Sequence, residues 1–205
     1  MRLYTVGHSN HTQEEFLSLL VSHNINLVAD VRSVPASNYN PQFNQDVLSV
    51  FLRNHHIDYQ FFGKELGARR VDSINAEGQV DFELAIHTSL FHQGIERILQ
   101  LLPDNNIALM CSEADPLECH RFALVARYFH EHSVEVFHIL KDASVESQQT
   151  LENQMITRYL RARKPQLPEV DELFGMYTSE QQLADAYRLK NKEIGYRQSQ
   201  EEFSD

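Results

Sequence analysis

Residues 107–121 read IALMCSEADPLECHR, and the fold turns on them. The first four are an apolar run of strand length that opens on a β-branched residue, so they predict a buried strand ending on Cys111. A polar connection, Ser112 to Ala114, follows. Asp115, Pro116 and Glu118 then spell a helix start, with Asp as N-cap, Pro at the first helical position and Glu at N3 to close a capping box. The helix is expected to run on through LECHRFALVARYFHEH. Cys111 is thus placed at the carboxyl end of a strand, with Cys119, His120 and Arg121 in the first turns of the next helix. Open α/β sheets carry their chemistry there.

Working outward, strand-length apolar runs alternate with capped amphipathic helices. Leu3 to Val6 reads as a first strand, closed by Gly7-His8-Ser9-Asn10. Thr12 opens a helix as N-cap with Glu15 at N3, and Phe16, Leu19 and Leu20 form its apolar face. Ile25 to Val31 is a second strand, and the Pro-, Ser- and Asn-rich segment after it, through Pro41, reads as irregular. A helix over Asp46 to Asn54 is expected to turn Val47, Val50 and Phe51 inward. Ile57 to Phe62 is a third strand, residues 71–80 an exposed loop or insertion with turns at Asn75 and Gly78, and Phe82 to Leu102 two helices meeting near Gly94. Val134 to Leu140 is a fifth strand, with Val134, Val136 and His138 on one face. The βαβ alternation implies an α/β fold: an open, mostly parallel sheet of about five strands with helices on both faces. Residues 1–140 form this domain. Residues 141–205 form a helical extension, packed on it or partly disordered. Within the extension, Asp142 to Gln149 reads as a polar segment, disordered or a lid, Glu152 to Arg163 as a helix with Met155, Tyr159 and Leu160 inward, and Pro165 and Pro168 as its breakers. A last helix starts at Thr178 or Ser179 with Leu183, Tyr187 and Ile194 at helical spacing, and Gln198 to Asp205 reads as a frayed end.

Composition narrows the class. The 205 residues are 42% hydrophobic and 23% charged, as in an ordinary globular chain. No apolar run reaches membrane-spanning length, and the chain enters a strand at once, with no room for a signal peptide. A cytoplasmic location is therefore expected, with the two cysteines as thiols. A net charge of −11 with neutral histidines opposes bulk nucleic-acid binding. Nothing in the composition assigns a cofactor or an oligomeric state.

If the sheet is parallel, reactive residue types from four strand ends share one edge: His8 and Ser9, Asp30 and Arg32, Lys64 and Glu65, and Cys111 and Glu113. Cys119, His120 and Arg121 join from the adjoining helix, and His138 from the fifth strand. The expected catalytic set is Cys111, Asp30, His8 and Glu113, with Arg32, Ser9, Cys119, His120, Arg121 and His138 around a small polar or nucleotide-like molecule. Each also has a structural reading. Cys111 and Cys119 can be small core residues, Asp30 and Arg32 can pair with each other, His138 can be a hydrogen-bonded core histidine, and Arg158, Arg161, Arg163 and Lys164 can be a solvated helix face. Between Cys111 and Cys119, Cys111 is expected to be the more reactive, facing a helix N-terminus and an arginine.

The motifs TVGHS, DVRSVPAS with NPQFN, the segment ending in ELG and MCSEADPLECHRFALVARYF with FHI resemble the DUF488 family of bacterial and archaeal proteins. The likeness covers roughly residues 1–140 and departs where Ala68 follows Gly67. It implies an α/β fold and brings no reaction. A weaker likeness links the D-x-R strand end and the Cys-ending strand to rhodanese and Cys-phosphatase architecture. Arg121, however, lies ten residues after Cys111, and three carboxylates surround the helix start, which makes a poor phosphate cradle. Three functions compete: an enzyme on a small polar substrate, a non-catalytic ligand sensor, and a Zn²⁺ site drawing on Cys111, Cys119 and one or two of His8, His120 and His138. The last uses suitable ligand types, but at an unusual Cys-x₇-Cys spacing. No residue is assigned to a metal from the sequence.

Overall fold

The computed structural model describes residues 1–163 and 178–198. Six strands form one sheet in the order β3-β2-β4-β1-β5-β6. They are β1 (Arg2–Gly7), β2 (Leu27–Asp30), β3 (Asp58–Phe61), β4 (Ile107–Cys111), β5 (Glu135–Ile139) and β6 (Val145–Ser147). All pairs are parallel except β5 with β6. The expected α/β fold is observed, with β4 at its centre between β1 and β2. Every residue of β4 is buried, as a continuous apolar run between two helical layers should be.

Alternation along β4 sorts its side chains. Ile107, Leu109 and Cys111 belong to one core, and Ala108 and Met110 to the other. The second core is closed by α1 (Gln13–Ser22) and α2 (Gln45–Asn54) through Phe16, Leu19, Leu20, Leu48 and Leu52. The first is closed by α5 (Ser89–Leu101), the chain after Cys119, and the helices α7 (Gln148–Arg163) and α8 (Ser179–Ile194). Short helices α3 (Gly63–Leu66), α4 (Phe82–Ala85) and α6 (Arg127–Glu131) complete these layers. Cys111 therefore faces the same layer as Cys119 because of the two-residue strand period.

Local signals explain the ends. Thr12 accepts from the Glu15 amide while Glu15 reaches back to the Thr12 amide, and Thr178 and Gln181 do the same for α8. Leu183, Tyr187 and Ile194 all pack on the core.

Several expectations fail in informative ways. In α2 the inward residues are Leu48 and Leu52; Val47 and Val50 are exposed, and only Phe51 keeps a partial contact. Two apolar stripes of equal spacing compete on that helix, and the larger leucines take the core. The break in 82–102 falls at Ile86–Thr88, where Thr88 caps α5. Gly94 instead lies inside α5, buried against Leu66 of α3. Pro41–Phe43 is a 3-10 turn in the segment expected to be irregular, and in the 71–80 loop Gln79 and Val80 are buried. Residues 142–149, expected to be disordered or a lid, are a turn at 142–144 followed by β6 and the start of α7. The alternation there is only three residues long, too short to stand out from a polar segment. Pro165, Pro168, Lys164 and the tail from 199 lie outside the described residues, as do the side chains of Leu160, Arg161 and Arg163.

The largest correction concerns the central helix. Pro116–Glu118 is one turn of 3-10 helix, Cys119 is extended (φ −134°, ψ 141°), and Arg121–Ala126 is a π-helix leading into α6. Asp115 caps the turn by accepting from the Leu117 amide. Glu118 closes no capping box; it pairs with Arg158 and Lys190 instead. A continuous α-helix would advance Cys119 and His120 by about 100° per residue around its axis. The extended Cys119 breaks that progression and presents both residues to Cys111.

Candidate functional site

The carboxyl ends of β1, β2 and β4 lie side by side, and two backbone bonds continue the pairing beyond the strands. The His8 amide donates to the Cys111 carbonyl (2.9 Å) and the Ser9 amide to the Ser112 carbonyl (2.8 Å). The two loops that carry the site are thus tied together.

Beyond β4, Cys111 Sγ lies 3.0 Å from Glu113 Oε2, and Cys119 Sγ lies 3.0 Å from the same oxygen. His120 Nδ1 is 3.7 Å from Cys111 Sγ and 3.8 Å from Cys119 Sγ. His120 Nε2 lies 3.1 Å from the Val31 carbonyl at the end of β2. A carbonyl only accepts, so Nε2 carries the hydrogen and a neutral His120 turns the Nδ1 lone pair toward the sulfurs. Both thiols and His120 are buried, whereas Glu113 is exposed. Glu113 is the solvent-side cover of the sulfurs.

The electrostatics set the two neighbouring thiols apart. The neighbouring Cys119 sulfur and burial push Cys111 well up. Burial opposes ionisation of Cys119 too, but the Cys111 thiol, Arg121 and His120 bring it well below the ordinary thiol value. The Arg121 amide donates to Cys119 Sγ at 3.4 Å. Burial and then Cys119 raise Glu113, while for His120 the interaction with Cys119 outweighs burial and raises it. Arg121 favours the thiolate at both sulfurs, and its amide meets Cys119 alone of the two.

A second network adjoins the first. Arg32 donates to both Asp30 oxygens, with Nη2 to Oδ2 at 2.5 Å, and to the Phe43 carbonyl (2.9 Å). Arg32 Nη1 meets His8 Nε2 at 3.2 Å, and the His8 ring stacks on Phe43 at 4.4 Å. Tyr59 donates to Asp30 Oδ2 (2.6 Å). Burial and the Arg32 charge lower His8 to about 4, which leaves it neutral and able to accept from Arg32. Burial and Asp30 raise the Tyr59 hydroxyl. Removing one partner from such a buried ion pair costs about 3–5 kcal/mol, because a lone charge remains.

Arg121, fully buried, donates to the carbonyls of Glu113 (2.6 Å) and Ala114 (3.1 Å) and to Thr5 (3.3 Å). It holds the loop that carries Glu113. Thr5 in turn bonds His138 Nδ1 (2.8 Å), and His138 Nε2 meets Gln148 Oε1 (2.8 Å).

The family model described as "Domain of unknown function DUF488" matches residues 12–128. The chain belongs to the DUF488 family. Searches of curated proteins and of solved structures gave no match. The DUF488 match spans Asp30, Arg32 and the whole thiol loop, whereas His8 and His138 lie outside it.

On this DUF488 scaffold the predicted residues fall into three groups. Cys111, Glu113, Cys119 and His120 form one cluster. His8, Asp30 and Arg32 form a buried support beside it. Arg121 and His138 belong to a structural chain behind it, with the arginine bound to backbone oxygens. Ser9 joins through its amide, and its hydroxyl bonds Asn10. Lys64 is exposed, and Glu65 pairs with Arg97. Tyr59, Phe43, Thr5 and Gln148 were not foreseen. Tyr59 and Phe43 read as ordinary core aromatics, and only the buried Asp30 needing a further donor points to a hydroxyl.

Proposed function

We propose that the protein binds a small polar or nucleotide-like molecule at the carboxyl edge of the sheet and acts on it there as an enzyme. Cys111, Glu113, Cys119 and His120 are the chemically active groups. His8, Asp30 and Arg32 hold the floor of the site and Arg121 its loop. The observation that carries this reading is Glu113: a carboxylate on a residue that reaches the surface, one oxygen of which lies 3.0 Å from each of two buried sulfurs from separate elements. A ligand that displaces this side chain reaches both sulfurs and the His120 ring without opening the core. The protein would work in the cytoplasm, where thiols persist, with a small molecule as partner. Bulk nucleic acid and membrane are not proposed as partners: the charge of −11 repels phosphates, and no described helix is long and apolar enough to cross a membrane.

Iodoacetamide labelling of folded, chelator-treated protein tests the reading. Labelling is expected at the Cys111–Cys119 pair under native conditions, faster in Glu113→Ala, where the cover is gone. If both thiols label only as fast as the chain unfolds, the edge is closed and the proposal fails.

A further inference from the structure

We propose that Cys111, Cys119 and His120 bind one divalent ion of the zinc class, with the Glu113 carboxylate as the fourth donor. This names a cofactor for the same cluster but needs no turnover, so it stands or falls separately from the reading above.

The donor atoms already have nearly the required spacing. Both sulfurs and a His120 ring nitrogen lie within 4.8 Å of one another. A tetrahedral ion with Zn–S of about 2.3 Å and Zn–N of about 2.0–2.1 Å sets sulfur and nitrogen about 3.6 Å apart. The observed separations are 3.7 and 3.8 Å. Two thiolates and an imidazole are the ligand types that favour zinc over magnesium or calcium.

The imidazole is also prepared. Its Nε2–H is held by the Val31 carbonyl, which leaves Nδ1 as the donor and fixes the ring plane. Metal-bound histidines are usually oriented by such a bond from the other ring nitrogen. Because the anchoring carbonyl is main chain at the end of β2, the sheet itself sets the direction.

Glu113 stands closer to the sulfurs than a ligand would. At 3.0 Å it stands at hydrogen-bond distance from both sulfurs, whereas tetrahedral geometry puts oxygen and sulfur about 3.5 Å apart. The residue reaches the surface and has room to withdraw by that half ångström when an ion replaces the thiol protons. Two thiolates and one carboxylate exceed the ion's charge by one, and the buried Arg121 guanidinium lies behind the loop to offset it. The long Cys-x₇-Cys spacing follows from ligands placed at a strand end and at a broken helix start, not on one hairpin.

The full chain, without any polyhistidine tag, is to be assayed for bound metal, stripped with chelator and titrated with Co²⁺ alone. About one equivalent of zinc is expected in the purified protein. Cobalt should show thiolate-to-metal charge transfer and the visible bands of a tetrahedral site. Cys111→Ser and Cys119→Ser should each weaken binding beyond the ~10–100-fold typical of an outer-shell partner. Glu113→Gln changes a residue that reaches the surface, so the fold should survive; it replaces a charged donor by a neutral amide and should weaken binding at least as much as the ~10–100-fold of an outer-shell partner and change the cobalt spectrum. Substoichiometric metal, an octahedral spectrum without charge transfer, or unchanged affinity in the Cys111→Ser/Cys119→Ser double variant would overturn the proposal and leave a hydrogen-bonded dithiol. One bound zinc with no native labelling of the stripped protein would support the ion while rejecting the small-molecule site. Native labelling without metal affinity would do the reverse.

Discussion

Gly7 shows how closely the site depends on single atoms. It ends β1 beside Cys111 of β4, and a Cβ built there would stand 1.8 Å from the Glu113 carbonyl oxygen. That oxygen accepts from Arg121, so the loop is pinned from behind and pressed against Gly7 in front. Gly7→Ala must push the Glu113 loop outward or break the Arg121 bond. The expected loss is about 1–3 kcal/mol, the usual range for forced overpacking, together with weaker metal binding. Urea denaturation and cobalt titration measure the two effects. A variant with an unchanged midpoint and unchanged affinity would show that the loop is free to move. The glycine is legible in the sequence as the end of a strand. Its contact with a carbonyl over 100 residues away is not.

At the scale of elements, the chain from Asp115 to Glu131 is the instructive case. Its sequence reads as one capped helix, and the Asp–Pro start is correct to the residue. What the sequence hides is that His120 and Arg121 each have a stronger partner off the helix axis: the Val31 carbonyl for one, and the Glu113 and Ala114 carbonyls for the other. These contacts favour an extended Cys119 followed by a π-turn over a regular helix, and π-segments recur at functional sites. Asp115 still caps its turn, so Asp115→Ala is expected to cost about 1 kcal/mol. Glu118→Gln should cost less, because its half-exposed pair with Arg158 closes no capping box. If the two variants shift the denaturation midpoint equally, the capping box exists in solution and the break at Cys119 does not. Of the five parallel strands, β1, β2, β4 and β5 carry buried apolar residues, and β3, which has none classed as buried, was legible from the buried Ile57 and Phe62 at its two ends. The sixth was not, because Val145–Ser147 is only three residues long and no buried apolar residue flanks it as Ile57 and Phe62 flank β3. The convergence at the carboxyl edge followed from the parallel order alone. Which of those members touch one another was not legible, because it depends on hydrogen-bond partners that come from distant elements.

For the whole molecule, the buried chain from Thr5 through His138 to Gln148, Tyr187 and Glu152 joins the sheet to the C-terminal helices. Gln148 Nε2 donates to the Tyr187 hydroxyl (2.7 Å), which donates to Glu152 (2.6 Å). His138 is the imidazole at its centre. Burial, then the Arg121 charge, lowers it from 6.5 to about 3, and His130 on α6 acts in the same direction. The Gln148 bond and Cys119 oppose this more weakly. In the unfolded chain His138 takes up a proton below about pH 6.5, while in the folded chain it resists down to about pH 3. The unfolded state therefore binds more protons across that interval, and stability falls as pH drops through it, by roughly 1–1.5 kcal/mol per pH unit for this one group. Above pH 6.5 the contribution is constant. His138→Gln removes the titration while keeping a polar side chain beside Thr5 and Gln148. Its stability at pH 8 should be lower than that of the parent, but the loss between pH 6.5 and pH 4.5 should be smaller by roughly 2–3 kcal/mol. Urea midpoints at several pH values give both slopes, and comparing slopes cancels every carboxylate that titrates alike in the two proteins. Parallel slopes would mean that His138 is solvated or already charged in the folded state, and the join between the sheet and α7 would then be looser than the structure shows.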